Sequence, residues 1–129
     1  MIQAANEAKG NMKILGVSLL TSLDDSDTRE LYNNDFKKQF DNLINIAIET
    51  KIDGIVCSSQ ELELIKDTSL IKVVPGIRNQ HTLDDQKRVM TSGEAYSKGA
   101  DYIVVGRPIT QAKQVEKAIK DYSWNSKIY

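Results

Sequence analysis

Four short runs of apolar residues, rich in valine and isoleucine, recur along the chain with more polar segments between them. The runs cover residues 14–20, 54–57, 71–74 and 102–105. Within each run the hydrophobicity is continuous rather than alternating, which is typical of strands buried on both faces, as in a parallel sheet. Parallel strands need crossover connections, and the helical segments between the runs can supply them. The pattern therefore predicts an α/β fold with four βα units.

The segments between the runs carry helical signals of different strength. Shorter helices are predicted over residues 59–66, 92–98 and 111–122, and a helix fragment over residues 2–9 precedes the first strand. The clearest helix has apolar residues at spacings of three and four, and Asn34 is its predicted cap. Its apolar positions are Phe36, Phe40, Leu43, Ile44, Ala47 and Ile48.

Capping signals mark the ends of the shorter helices. Ser58 with Glu61, and Thr91 with Glu94, each fit a capping box, in which a hydroxyl and a carboxylate satisfy backbone N–H groups of the first turn. Gly99 is a predicted helix stop, because glycine readily adopts the left-handed backbone that often ends a helix.

The chain length selects between two α/β architectures. Four βα units in 129 residues average about 32 residues each, and a complete (β/α)8 barrel has about 250 residues. The chain is therefore about half of such a barrel. The competing interpretation is an open four-stranded sheet, which would leave two long apolar edges in need of cover.

Charge and cysteine content exclude several classes of function. The 17 Lys and Arg against 18 Asp and Glu give a net charge of −1, which argues against a nucleic-acid or membrane-surface binder. The apolar runs are too short to span a bilayer, and no basic region followed by an apolar one stands at the N-terminus. The single cysteine, Cys57, cannot form an internal disulfide, which fits a reducing compartment. We expect a cytoplasmic location.

Two similar loops follow the last two predicted strands. In parallel α/β folds ligands bind beyond the carboxyl ends of the strands, where Gly76 is followed by Arg78 and Gly106 by Arg107. Glycine lets the backbone approach a ligand, and the planar guanidinium matches phosphate oxygens. The matched pair indicates an anion site. The alternative is that both glycines turn the chain and both arginines form surface ion pairs.

Five motifs, in order and at suitable spacing, carry a family resemblance that covers roughly residues 2–122. The chain resembles the C-terminal half of orotidine 5'-monophosphate decarboxylase, a (β/α)8-barrel enzyme. The resemblance implies that the four strands are the fifth to eighth of that barrel, in a half-barrel domain over residues 1–122. Residues 123–129 lose the helical periodicity and are predicted to be a tail. The motifs are Leu20-Thr21-Ser22, Asp53-Gly54-Ile55-Val56-Cys57-Ser58, Val74-Pro75-Gly76-Ile77-Arg78, Asp85-Gln86-Lys87-Arg88 and Val105-Gly106-Arg107-Pro108-Ile109-Thr110.

The resemblance implies a ligand and a set of binding residues. The family is a carbon–carbon lyase of pyrimidine biosynthesis that makes uridine monophosphate (UMP) from orotidine monophosphate (OMP), usually as a homodimer and with no metal or organic cofactor. By resemblance, Arg78, Gly106 and Arg107 hold the nucleotide phosphate, Gln86 bridges phosphate and pyrimidine, and Thr21 hydrogen-bonds the pyrimidine edge. From the residues alone, Thr21 is a strand-end hydroxyl and Gln86 a solvated loop residue.

The family's catalytic Asp/Lys network is not found in this sequence. It includes an Asp-x-Lys-x-x-Asp motif in the N-terminal half of the barrel. Residues 35–41 come nearest, but their second aspartate falls one position late, and Phe36 and Phe40 mark an amphipathic helix. We therefore assign no catalytic residue and expect no useful decarboxylase activity from the chain alone. With one histidine and one cysteine, no metal site is assigned. The acidic cluster at residues 24–27 is predicted to start the next helix or to remain in solvent.

A half barrel exposes two strand edges and one side of its core, so we expect it to bind a partner. The expected partner is a second copy or a separately encoded N-terminal half, and the expected ligand is an OMP- or UMP-like nucleotide monophosphate. Neither a nucleic acid nor a membrane is an expected partner. The alternatives are a non-enzymatic phosphate- or nucleotide-binding module, a gene remnant, or a fragment of a related sugar-phosphate barrel enzyme.

Overall fold

A computed structural model describes residues 1–20, 22–79 and 90–123, and the strands among them form one parallel sheet. The strands are β1 (Leu15–Val17), β2 (Gly54–Val56), β3 (Ile71–Val74) and β4 (Tyr102–Ile103). Their order in the sheet is β1-β2-β3-β4, so each strand pairs with its neighbour in the chain. A doubly wound sheet reverses its strand order at a switch point, whereas the strands of a (β/α)8 barrel lie in the order in which they occur in the chain. The predicted α/β fold with four βα units is confirmed.

Helices precede β1 and follow every strand except β2, which is followed by a 3₁₀ turn. The helices are α1 (Ile2–Ala8), α2 (Asp25–Tyr32), α3 (Phe36–Glu49), α4 (Ser92–Ser97), α5 (Arg107–Thr110) and α6 (Val115–Tyr122), and the 3₁₀ turn is Leu62–Ile65. The crossover from β1 to β2 holds two helices where the pattern predicts one. The predicted capping box of Thr91 and Glu94 is confirmed, and Gly99 ends α4 with a positive φ of 95°.

The predicted cap of α3 is wrong. Asp35, and not Asn34, caps α3, because its carboxylate accepts the Lys38 N–H at 2.8 Å, while the Asn34 amide donates to Gln39. An anionic acceptor is favourable at a helix N-terminus, where the backbone N–H groups carry partial positive charge.

The predicted helix over residues 59–66 is only the 3₁₀ turn, which is followed by residues 67–69, Asp-Thr-Ser, that favour turns over helices. The predicted helix over residues 111–122 is wrong at its start, because α6 begins only at Val115. A separate short helix, α5, precedes it and carries Pro108 in its first turn, where the fixed φ of proline is favourable.

The core lies between the sheet and α3. Phe40, Ile44 and Ala47 of α3 are buried against Ile55 of β2 and Val74 of β3, all in one cluster of buried apolar side chains. The predicted apolar stripe of α3 is therefore confirmed over its central turns. It is wrong at its end, where Ile48 is 49% exposed.

The opposite face of the sheet is largely uncovered. Pairing places Val17 of β1 and Tyr102 of β4 in one row with Val56 and Val73, so their side chains share a face. Of these side chains Val17 is 57% and Tyr102 is 62% exposed, although Val73 in the middle of the sheet is 9% exposed. The expectation that every run is buried on both faces is thus wrong for the two outer strands. The exposed residues of this surface, called the open face below, are Leu15, Val17, Tyr102 and Val104.

Asp53 ties the amino end of β2 to the segment that leads into β1. Its Oδ2 accepts a hydrogen bond from Lys9 Nζ at 2.7 Å and another from the Ile14 N–H at 2.8 Å. The Lys9 bond, with the Ile14 bond as the second cause, lowers the pKa of Asp53 below its usual value. A carboxylate with a lowered pKa in the folded state stabilises that state above its unfolded pKa and stops doing so when the pH falls through the folded pKa.

We expect the unfolding free energy to drop between about pH 5 and pH 2, and to drop less in Asp53→Asn than in the wild type. Asp25, whose pKa is lowered by the Phe36 N–H and then by Arg29, leaves some acid sensitivity in the variant. Urea unfolding at several pH values measures the difference. Asp41→Asn, which removes an exposed partner of Lys37, is the control. Equal acid sensitivity in Asp53→Asn and the wild type contradicts the assignment.

Candidate phosphate-binding site

The two predicted Gly-Arg loops start side by side at the carboxyl edge of the sheet. Val74 pairs with Ile103, and beyond β4 the Val104 N–H donates to the Val74 carbonyl oxygen at 2.9 Å. Pro75 follows Val74 directly, and Gly106 lies two residues beyond Val104. The structure thus brings these two loops to neighbouring positions, as the sequence predicts for an anion site between the last two strands.

The loop after β3 is anchored by its backbone. Gly76 has a φ of 74°, a conformation that costs other residues energy, and the following Ile77 is fully buried. Ile77 forms a parallel bridge with Met90, and the Arg78 N–H donates to the Met90 carbonyl oxygen at 3.0 Å. The Arg78 guanidinium donates to the Ile77 carbonyl oxygen at 2.8 Å. These bonds fix the backbone of Arg78 at the edge of the candidate site.

The loop after β4 is more open. A Cβ placed on Gly106 would meet no atom within 4 Å, so a ligand can approach the backbone here. The Gly106 carbonyl oxygen accepts the N–H groups of Ile109 and Thr110 at 2.9 and 3.0 Å, which closes the single turn of α5. Arg107 is the exposed first residue of that turn. The φ of Gly106 is −96°, so the open space beside it, and not a strained backbone, is its distinctive property.

Thr21, assigned to the pyrimidine edge, and Gln86, assigned as a bridge between phosphate and pyrimidine, lie outside the described residues. Their roles stay predictions.

A buried polar group at the carboxyl end of β2 was not predicted. Ser58, Ser59 and Glu61 are at most 2% exposed, and the Ser58 N–H donates to Glu61 Oε2 at 2.9 Å. The capping box of Ser58 and Glu61 is therefore only half formed. Within the described part of the chain, neither serine hydroxyl has a hydrogen-bond partner. The only sequence signal for this group is the serine pair directly after a predicted strand.

The acidic cluster serves to start a helix. Asp24 and Asp27 exchange side-chain and backbone hydrogen bonds at 3.0 Å in a full capping box, and Asp25 accepts the Phe36 N–H at 2.9 Å. Of the two alternatives predicted for this cluster, the helix start is confirmed. Over residues 1–20, 22–79 and 90–123, no group of three or more His, Cys, Asp or Glu side chains is placed to hold a metal ion. In the same ranges no helix is long and apolar enough to cross a bilayer.

Known proteins resemble this chain along nearly its whole length. The sequence model of the orotidine 5'-phosphate decarboxylase / HUMPS family matches residues 1–122. An orotidine 5'-phosphate decarboxylase of Aquifex aeolicus is 45% identical over a 130-residue alignment that covers 93% of this chain. One of Streptococcus pneumoniae is 42% identical over 139 aligned positions that cover 97% of this chain.

The chain spans little more than half the length of these relatives, namely 56% of the Aquifex protein and 59% of the Streptococcus protein. A solved structure shows the same proportion. The crystal structure of orotidine 5'-phosphate decarboxylase from Lactobacillus acidophilus superposes with a TM-score of 0.67 and 29% identity, covering 86% of this chain and 49% of that one. Such structural neighbours are TIM barrels of which this chain corresponds to about half.

Proposed function

Because the chain belongs to the orotidine 5'-phosphate decarboxylase / HUMPS family, we propose that it supplies the phosphate- and pyrimidine-binding half of an orotidine 5'-phosphate decarboxylase. In the complete enzyme, OMP is converted to UMP in pyrimidine biosynthesis, and the proposed location is the cytoplasm. The observation that carries the proposal is the adjacent placement of two Gly-Arg loops beyond β3 and β4.

The proposed ligand is a nucleotide monophosphate, and its phosphate lies between these loops. Arg78 approaches from the β3 side and Arg107 from the β4 side, and the open space beside Gly106 admits phosphate oxygens to the backbone. Gln86 is proposed to bridge the phosphate and the pyrimidine, and Thr21 to hydrogen-bond the pyrimidine edge.

Decarboxylation needs more than these residues. Loss of carbon dioxide from the pyrimidine ring leaves a carbanion-like centre, which needs a cation or proton donor held against it. Arginines on a distant phosphate provide binding energy but do not protonate that carbon. The Asp-x-Lys-x-x-Asp motif does not occur in the sequence, so we expect the chain alone to show no turnover of OMP. Turnover that persists through further purification contradicts this expectation.

UMP titration of the purified chain tests the ligand proposal. Arg107→Ala is expected to weaken UMP binding by about ten- to hundredfold, since a hydrogen bond to a charged group contributes about 1.5–3 kcal/mol. Arg107 is exposed, so its removal leaves the core intact. Arg29→Ala removes the other exposed arginine of the described residues and is the control, with less than a twofold effect expected on UMP binding.

Two outcomes of this titration count against the nucleotide site. If UMP and ribose 5-phosphate bind equally, the site recognises only a sugar phosphate. If Arg107→Ala and Arg29→Ala have the same effect, the phosphate does not lie at the β4 loop.

The open face indicates a partner. Leu15, Val17, Tyr102 and Val104 are 40–62% exposed on one side of the sheet, and apolar strand faces of this kind are covered in stable proteins. In the TIM-barrel relatives, the remaining half of the barrel is the part that this chain does not match. We propose that four further βα units of this family cover the open face. A homodimer in which two copies of this chain face each other is the competing arrangement.

A further inference from the structure

Asn79, in the loop after β3, forms hydrogen bonds to two separate helices, α4 and α6. The Asn79 side-chain oxygen accepts the Ser92 N–H at 2.8 Å, and its side-chain nitrogen donates to the Asp121 carbonyl oxygen at 2.6 Å. Its backbone N–H donates to the Tyr122 hydroxyl at 3.0 Å. These partners lie 13 to 43 residues away in the chain.

The two side-chain bonds satisfy backbone groups that have no hydrogen-bond partner within their own helix. Ser92 is the first residue of α4, where the helix cannot pair its own N–H, and Asp121 lies in the last turn of α6, where carbonyl oxygens lack a helical donor. Tyr122 is only 9% exposed, so the hydroxyl that accepts the Asn79 N–H belongs to a side chain packed in the fold. Asn79 thereby connects the start of one helix to the end of another.

The position of Asn79 relates these bonds to the candidate site. It follows Arg78 directly, and α6 follows α5, whose first residue is Arg107. A connection from residue 79 to the end of α6 therefore links the loop of one arginine with the helix pair that carries the other. The Arg78 N–H bond to Met90 holds the same loop from its other side.

We propose that Asn79 is a positioning residue for the phosphate site, which sets the separation of the Arg78 and Arg107 loops without touching the ligand. This inference rests on the proposed function. It predicts that Asn79 affects phosphate binding only through the arginines.

Asn79→Ala is expected to weaken UMP binding about tenfold in the full chain, because two hydrogen bonds that hold the loops are lost. In an Arg107→Ala background the same change is expected to alter UMP binding less than twofold, since residues that act through one another are not additive. Tyr122→Phe, which removes only the acceptor of the Asn79 N–H, is expected to have a smaller effect. The matched control is Asn6→Ala, because the Asn6 amide also donates to a carbonyl oxygen at the end of a helix, that of Thr50.

Hydrogen exchange provides a readout that does not depend on UMP. In Asn79→Ala the backbone N–H groups of Arg78 and Thr110 are expected to exchange faster than in the wild type, and in Asn6→Ala they are expected to exchange as in the wild type. These two N–H groups report on the β3 loop and on α5.

The outcomes separate this inference from the proposed function. A wild-type chain that does not bind UMP refutes the proposed function, while the exchange of the Arg78 and Thr110 N–H groups still decides whether Asn79 links the loops. Wild-type affinity and wild-type exchange in Asn79→Ala overturn the inference. Equal loss of UMP affinity with and without Arg107 also overturns it, because general loosening of the fold gives that result.

Discussion

A Gly54→Ala variant is expected to lose about 3 kcal/mol of unfolding free energy, or to fail to fold, although it adds a single methyl group. Gly54 is buried in β2 between β1 and β3. A Cβ on this residue would lie 2.5 Å from the Ile71 carbonyl oxygen and 2.8 Å from both Ile71 Cβ and Leu15 Cδ2. The Ile71 carbonyl oxygen is a backbone atom of β3, and Ile71 Cβ is bonded directly to that backbone, so relief of the clash requires the two central strands to separate.

Gly16→Ala is the matched control in the neighbouring strand. Its Cβ would approach Ile52 Cδ1 at 2.8 Å and Ile55 Cδ1 at 3.4 Å, and these are ends of flexible side chains that can turn away. We expect a loss of about 1 kcal/mol or less for Gly16→Ala. Urea unfolding followed by circular dichroism compares the two variants. Similar stability of Gly54→Ala and Gly16→Ala means that the close pairing of β2 with β3 is not rigid.

Charge on the open face is expected to abolish binding of a complementary half barrel. The probe is the part of the Aquifex aeolicus relative that the match leaves uncovered, produced as a separate polypeptide and mixed with this chain. We expect a complex of one copy of each. In a Val17→Asp, Val104→Asp double variant we expect the affinity to fall more than hundredfold, since burying an unpaired carboxylate in an apolar interface costs several kcal/mol.

Leu64→Asp is the control for this experiment. Leu64 is 51% exposed, close to the 57% of Val17 and the 50% of Val104, but it lies on the 3₁₀ turn. We expect Leu64→Asp to bind the probe like the wild type. Sedimentation or light scattering distinguishes the outcomes. If the wild-type chain self-associates and does not bind the probe, a second copy covers the open face. A 14.5 kDa monomer that binds neither the probe nor a second copy contradicts both arrangements.

The local parts of the fold could be predicted where neighbouring residues decide them. The strand over residues 71–74 and the capping box of Thr91 with Glu94 depend on a few adjacent side chains. The cap of α3 could not be assigned in this way, because Asn34 and Asp35 are both good caps and the carboxylate of Asp35 reaches the Lys38 N–H. The segment over residues 59–66 has an apolar pattern compatible with a helix. Its first residues instead belong to the buried polar group in which the Ser58 N–H donates to Glu61.

The candidate site could also be predicted only where neighbouring residues mark it. Gly76 with Arg78, and Gly106 with Arg107, follow apolar runs, and parallel strands bring such loops to one edge of a sheet. The role of Asn79 has no signal in the sequence, because its partners lie far along the chain.

The sequence by itself determined the four βα units, the two arginine loops and the family, because each is encoded by short runs of residues. Only the tertiary structure decided which apolar residues are buried. Val17 and Val74 are alike in sequence, but Val17 is 57% exposed on an outer strand and Val74 is fully buried beneath the helices. Burial depends on what lies opposite a side chain, and half of a barrel leaves its inner face without neighbours.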